Sequence, residues 1–124
     1  LRISLNKKID LRIHKYVFDN EPVSEPIPCP DGIEGCAVAH YGLVIPNYST
    51  DISEAWDVVE KMQHEFDEVN IHVKDGMVSV IIDEYFSNGF FKDRHEGYER
   101  KLPLAICKSA LKAIGKGEFL DEYV

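Results

Sequence analysis

No apolar run in the 124 residues approaches the ~20 consecutive apolar side chains that a helix needs to cross a bilayer. No charged-then-apolar leader opens the chain either, so the expected location is the cytoplasm, with no membrane contact. Basic residues are in short supply: 14 Lys and Arg against 22 Asp and Glu give a net charge of −8. That balance argues against duplex nucleic acid as a partner, because such surfaces neutralise phosphates with Lys and Arg. The acids are spread along the chain instead of forming runs, so they read as a solvating surface and not as a mimic of nucleic acid. Catalytic signatures are missing as well. There is no G-x-S-x-G, no phosphate loop, no H-E-x-x-H and no G-x-G-x-x-G. Asp83 and Glu84 are adjacent on a predicted strand, so they face opposite sides and cannot work as a carboxylate pair from that strand. The chain is expected to be non-enzymatic, with no cofactor.

Cysteine is scarce too. Three of them, Cys29, Cys36 and Cys107, are an odd count that excludes a disulfide framework and favours reduced thiols. Cys29, Cys36 and His40 fall within one predicted loop and are the types zinc takes. Their spacing is longer than the usual C-x₂₋₄-C, and a fourth ligand would have to come from afar, from His14 or His95. Glu60 and His64 lie one helical turn apart, again with no third ligand fixed beside them. The expectation is ordinary loop cysteines, a solvated helix face and no metal.

What is present reads as a single domain over residues 1–124. Leu5, Ile9, Ile13, Tyr16 and Val17 predict a helix over about 4–18, while Leu11 and Phe18 lie on roughly its opposite side. A helix apolar on two sides is sandwiched or meets a partner, which makes Leu11 and Phe18 the candidate partner interface, for another protein or for a homodimer. Residues 19–47 carry five of the six prolines and predict a long irregular loop, with a short strand possible within Ala37 to Ile45. Ser49, Thr50 or Asp51 can cap a following helix, and Asp51 with Glu54 has capping-box spacing. The apolar face of that helix is read as Ile52, Ala55, Trp56, Val59, Met62 and Phe66, with Trp56, the single tryptophan, as its main core contribution.

The period then changes from 3.6 to 2. Val69, Ile71 and Val73 alternate with polar residues, Asp75-Gly76 supplies a hairpin turn, and Met77 to Phe86 forms the second strand. Val78, Val80 and Ile82 point one way; Met77, Ser79, Ile81 and Asp83 point the other. Ser87-Asn88-Gly89 predicts another turn, and a third strand, either around Phe90 to Lys92 or closer to Tyr98, completes an antiparallel meander. A last helix begins near Leu102, with Pro103 in its first turn and Gly115 past its end. Its stripe of Leu104, Ile106, Cys107, Ala110, Leu111, Ala113 and Ile114 is core, and residues 118–124 are expected to form a loose tail. The fold class is α+β: about three helices packed on an antiparallel sheet of three or more strands.

One constellation suggests binding. Tyr85, Phe86, Phe90, Phe91 and Tyr98 are interleaved with Lys92, Arg94, His95, Arg100 and Lys101, a pattern that can stack bases and hold phosphates. The candidate binding residues are Phe90, Phe91, Lys92, Arg94, Tyr98 and Arg100, for a small molecule or single-stranded nucleic acid. The structural reading, favoured by the overall acidity, puts the aromatics in the core of a hairpin and the charges in solvent.

Ser49-Thr50-Asp51-Ile52 leading into Ala55-Trp56-Asp57-Val58-Val59-Glu60-Lys61, followed by Pro103-Leu104-Ala105-Ile106-Cys107 and an Ala/Leu-rich helix, resembles the phage ABA sandwich domain. The helix from Leu5 to Phe18 takes the place of that family's N-terminal helix. The resemblance implies a small sandwich of helices around an antiparallel sheet, in a phage or prophage protein working inside the bacterial host cell. It carries over no catalytic set. The expected role is that of an accessory protein that binds a host or phage protein.

Overall fold

A computed structural model describes residues 5–19, 27–28, 37–38, 44–118 and 120. The chain opens with helix α1 (Leu5–Arg12), which widens into a π-helical turn over Ile13–Val17 closed by the Phe18 N–H donating to the Ile13 carbonyl at 3.2 Å. Ile9, Ile13 and Val17 are buried as the apolar spacing predicts. Tyr16 is not. Its ring lies outward between the Lys15 and Lys116 amines, 5.1 and 4.8 Å from its centroid, where the phenol stays wet and the ring face meets charge.

Within 19–47, the described residues are not all irregular. Ile27–Pro28, Ala37–Val38 and Val44–Ile45 form three short strands, β1, β2 and β3, paired antiparallel in that order. Cys29, Cys36 and His40 lie outside the described residues, and so does Ser4.

Helix α2 (Ile52–Glu65) starts where predicted. The Asp51 carboxylate accepts from the Ser53 N–H at 2.9 Å and the Glu54 N–H at 3.3 Å, satisfying donors that the first turn would otherwise leave open. Its buried residues are Ala55, Val58, Val59 and Met62. The reading of Trp56 as a core residue is overturned: it is 46% exposed, and Ile52 is exposed beside it. At about 100° per residue the arc centred on Ala55, Val59 and Met62 leaves Trp56 roughly 100° off axis. The helix turns its small and β-branched residues inward, which allows it to approach its neighbours closely.

Three strands form the main sheet in the order β4 (Glu68–Lys74), β5 (Met77–Tyr85) and β6 (Phe91–Glu99), all antiparallel. Asp75 and Gly76, with φ of 54° and 77°, make the tight turn in which both central residues adopt positive φ, and Lys74 pairs with Met77. The inner face carries Val69 and Ile71 opposite Ile82 and Val80, with Val80 paired in turn to Gly97. Helix α3 (Leu102–Ala113) lies on that face, chiefly over β5 and β6, and α2 and α1 with its π turn pack against α3. The architecture is therefore α+β, three helices against a three-stranded antiparallel meander. Past Ile114, Gly115 at φ 76° ends α3: its N–H donates to Lys112 and that of Lys116 to Leu111. Of the segment expected to form a loose tail, 119 and 121–124 lie outside the described residues, and Leu120 is described. It is buried, and its N–H donates to the Gly117 carbonyl at 3.0 Å.

No helix among the described residues is long and apolar enough to cross a membrane.

Candidate functional site

The β5–β6 hairpin ends in a short, well-bonded loop. The Phe86 N–H donates to the Phe90 carbonyl at 2.7 Å, the Gly89 N–H to the Phe86 carbonyl at 2.8 Å, and the Phe90 N–H to Asn88 Oδ1 at 3.1 Å. Gly89 sits at φ 89°, a conformation that side chains disfavour. These bonds fix a loop that displays apolar rings instead of hiding them. Phe90 is 71% exposed, and Phe86, Phe91 and Tyr85 are exposed with it.

Behind the loop a register shift follows Glu84. Glu84 pairs with Asp93 and Tyr85 with Phe91, so Lys92 is the extra residue of a β-bulge. The bulge brings Tyr85 and Phe91 onto one face, edge to face at 6.0 Å between centroids. Arg94 follows on that face, its guanidinium carbon 5.7 Å from the Phe91 ring centre, and it reaches across to Asp83. Arg94 Nε and Nη2 donate to Asp83 Oδ1 and Oδ2 at 2.7 and 3.1 Å. The pair raises the guanidinium above its already high ordinary pKa. On the helix-facing side Glu84 gathers Lys92 at 3.5 Å and His95 Nε2 at 2.9 Å, so His95 has a companion that its sequence neighbours do not reveal.

Three further carboxylates border the rings. Asp67 accepts the Tyr85 N–H at 2.7 Å, Glu68 accepts the Tyr85 hydroxyl at 3.2 Å, and Asp93 accepts the Arg94 N–H at 2.8 Å. The bond to Glu68 holds the Tyr85 phenol above its ordinary pKa. At the tip the Tyr85 and Phe91 rings are thus flanked by Asp67, Glu68 and the Arg94–Asp83 pair, with Glu84, Asp93 and His95 on the strand's other side; among the described residues its cations Lys92 and Arg94 are each paired with an acid.

The predicted binding residues divide. Phe90, Phe91, Lys92 and Arg94 come together at the tip. Tyr98 is seven residues further along β6, about 23 Å at the usual strand rise, and lines a shallow depression of about 450 Å³ on the open sheet face with His72, Lys74, Met77, Ser79 and Glu96. Arg100 is exposed beyond the strand, next to α3. The expected interface residues Leu11 and Phe18 are both half-buried against the core, and Phe18 stacks on Tyr48 with centroids 5.2 Å apart.

Two features went unread in the sequence. One is the acid border of the tip, which the β4–β5–β6 pairing assembles from three strands; the register implied by Asp75-Gly76 was the available signal for the β4–β5 half. The other is Asp10, a carboxylate on the buried side of α1, seven residues before the buried Val17. Its Oδ1 accepts the Ser49 N–H at 2.7 Å, and its buried Oδ2 has no hydrogen-bond partner among the described residues. Burial pushes its pKa up from 3.8 to about 6 despite the bonds from Ser49. Burial likewise pushes the Cys107 thiol well up, with Asp10 adding to it, so this thiol is inert packing. Among the described residues no three His, Cys, Asp or Glu side chains converge as a metal site.

Comparison with known families gives one result: residues 30–111 match the phage ABA sandwich domain. The chain belongs to the phage ABA sandwich domain family. The matched range covers most of the chain and takes in the main sheet, α2, most of α3 and the aromatic tip, while α1 precedes it. No curated protein and no solved structure matches the chain significantly. Membership in this phage family, with its sandwich fold, agrees with the helices and antiparallel sheet described above.

Proposed function

We propose that this phage-family domain is a non-enzymatic accessory protein that acts by binding a host or phage protein in the bacterial cytoplasm, and that the β5–β6 tip makes the contact. The observation that carries this reading is the display of Tyr85, Phe86, Phe90 and Phe91 on a loop held by its own hydrogen bonds. Scattered exposed aromatics need no explanation, but a cluster of four on a fixed loop is costly to leave in water. Aromatics held in place lose little conformational freedom on binding, which is what interface anchors require.

The alternative, a small molecule or single-stranded nucleic acid, draws support from the stack of Arg94 on Phe91. Charge weighs against the nucleic-acid form. A phosphate chain would have to compete with Asp83 and Glu84 for the two cations and approach three more carboxylates.

The test is affinity capture from host and phage-infected lysates with the wild-type chain and with a Phe86→Ser/Phe90→Ser variant. A protein recovered near stoichiometry by the wild type and lost with the variant is the expected result. Recovery of nucleotide or nucleic acid in its place, or a captured protein indifferent to the two rings, would overturn the assignment of the tip.

A further inference from the structure

We infer that the surface received by this tip is an apolar pocket rimmed by Lys and Arg side chains on the partner protein. This rests on the protein-binding reading above and adds the partner's chemistry to it. Four exposed rings call for an apolar recess, and the charges around them state what its rim must carry. Lys92 and Arg94 are already neutralised by Glu84 and Asp83. Among the described residues no Lys or Arg comes within ion-pair distance of Asp67, Glu68 or Asp93, though the Glu68 charge adds to the hold on the Arg94 guanidinium. These three carboxylates accept from the Tyr85 N–H, the Tyr85 hydroxyl and the Arg94 N–H, and His95 stands 3.8 Å from Asp93.

Each of these carboxylates keeps unused acceptor capacity; Asp67 and Glu68 bond Tyr85 directly, and Asp93 stands between Lys92 and Arg94, paired across from Glu84 on the strand's other face. An acidic or neutral rim would bring like charges together or strip water from carboxylates without replacement, and either costs affinity. A cationic rim recovers that cost and speeds encounter with a chain whose net charge is −8. An anionic membrane and a phosphate chain fail on the same count, and a second copy of the tip would set acids against acids.

The experiment is an NMR titration of the isotope-labelled full chain with two synthetic amphipathic helical peptides that share one apolar face, with Lys flanking that face in one and Glu in the other. The Lys peptide is expected to bind roughly tenfold more tightly, with shifts centred on the amides of Tyr85 to Arg94. The preference should collapse in an Asp67→Asn/Glu68→Gln/Asp93→Asn variant, whose amides retain the carbonyl acceptors used by Tyr85 and Arg94 and leave the fold intact. Equal affinity for the two peptides, or no tip shifts with either, overturns the inference. So does a preference that survives Phe86→Ser/Phe90→Ser, since that is attraction to net charge away from the tip. Tip shifts produced instead by oligothymidylate, by anionic phospholipid vesicles or by raising protein concentration would assign another occupant and overturn it too. A lysate partner that needs Phe86 and Phe90 but ignores the three carboxylates would sink this inference and leave the protein-binding reading standing; one that needs neither sinks both.

Discussion

Gly97 on β6 lies directly against Ala105 on α3, so close that a Cβ on Gly97 would collide with the Ala105 carbonyl oxygen and sit 2.7 Å from the Ser109 nitrogen. Both obstacles are helix backbone, which cannot step aside as a side chain can. The contact seats α3 on the sheet and so sets where β6 and its tip are held. Gly97→Ala is expected to cost about 3 kcal/mol or more by forcing helix and strand apart. Gly89→Ala provides the contrast. A Cβ there meets nothing within 4 Å, and the positive φ alone should cost about 1 kcal/mol. Urea denaturation of both variants checks this; equal midpoints would mean that the helix is not held by the strand.

Asp10 makes stability depend on pH in a direction opposite to that of a salt-bridged acid. Its folded pKa, about 6, lies above the ordinary value of 3.8, so the folded chain holds the proton more tightly than the unfolded chain does. The stabilisation is full below about pH 4 and is lost as pH rises to about 6, a change of roughly 2–3 kcal/mol at 1.36 kcal/mol per pKa unit. Asp10→Asn keeps an acceptor for the Ser49 N–H and removes the charge. It should raise stability near pH 7, and its advantage over the wild type should grow as pH rises from 4 to 6. Thermal or urea unfolding at several pH values measures it, and parallel curves for the two proteins would rule the mechanism out.

How far the sequence could be read depended on whether a local rule settled each question. The Asp75-Gly76 turn, the alternation of Val78, Val80 and Ile82, the Asp51 cap and the Pro103 start are local signals, and each element stands where its signal put it. The rotation of α2 is not local. Ile52 and Trp56 fit an apolar face as well as Val58 does, and only the approach of α3 decides that Ala55 and Val58 turn inward. The tip was half legible. Its rings and cations are neighbours along the chain, but Asp67 and Glu68 arrive from another strand. The β-bulge at Lys92, which brings Phe91 opposite Tyr85 and Arg94 opposite Asp83, has no marker in residue type. Tyr98 and Arg100 looked like members of the same group because nearness in sequence was mistaken for nearness along an extended strand.

The pairing of Arg94 with Asp83 ties the fold to the tip, because the carboxylate is only 2% exposed while the guanidinium that neutralises it is largely in solvent. Removing the cation leaves a buried charge without its strongest partner, whereas removing the carboxylate frees an arginine that water can solvate. The losses should therefore be unequal. Arg94→Gln is expected to lower the urea midpoint measurably, though by less than breaking a fully buried pair, because solvent screens the exposed partner. Asp83→Asn should cost less, and the double variant should fall short of the summed losses. Arg94 also lies over Phe91, so Arg94→Gln should weaken binding at the tip under conditions where the variant remains folded. Arg94→Lys keeps the charge but not the two-pronged geometry, and should restore stability better than binding. A double-mutant cycle by urea denaturation, paired with capture assays on the folded variants, measures both effects. Additive losses would mean that the pair is decorative, and full binding by Arg94→Gln would detach the guanidinium from the contact surface.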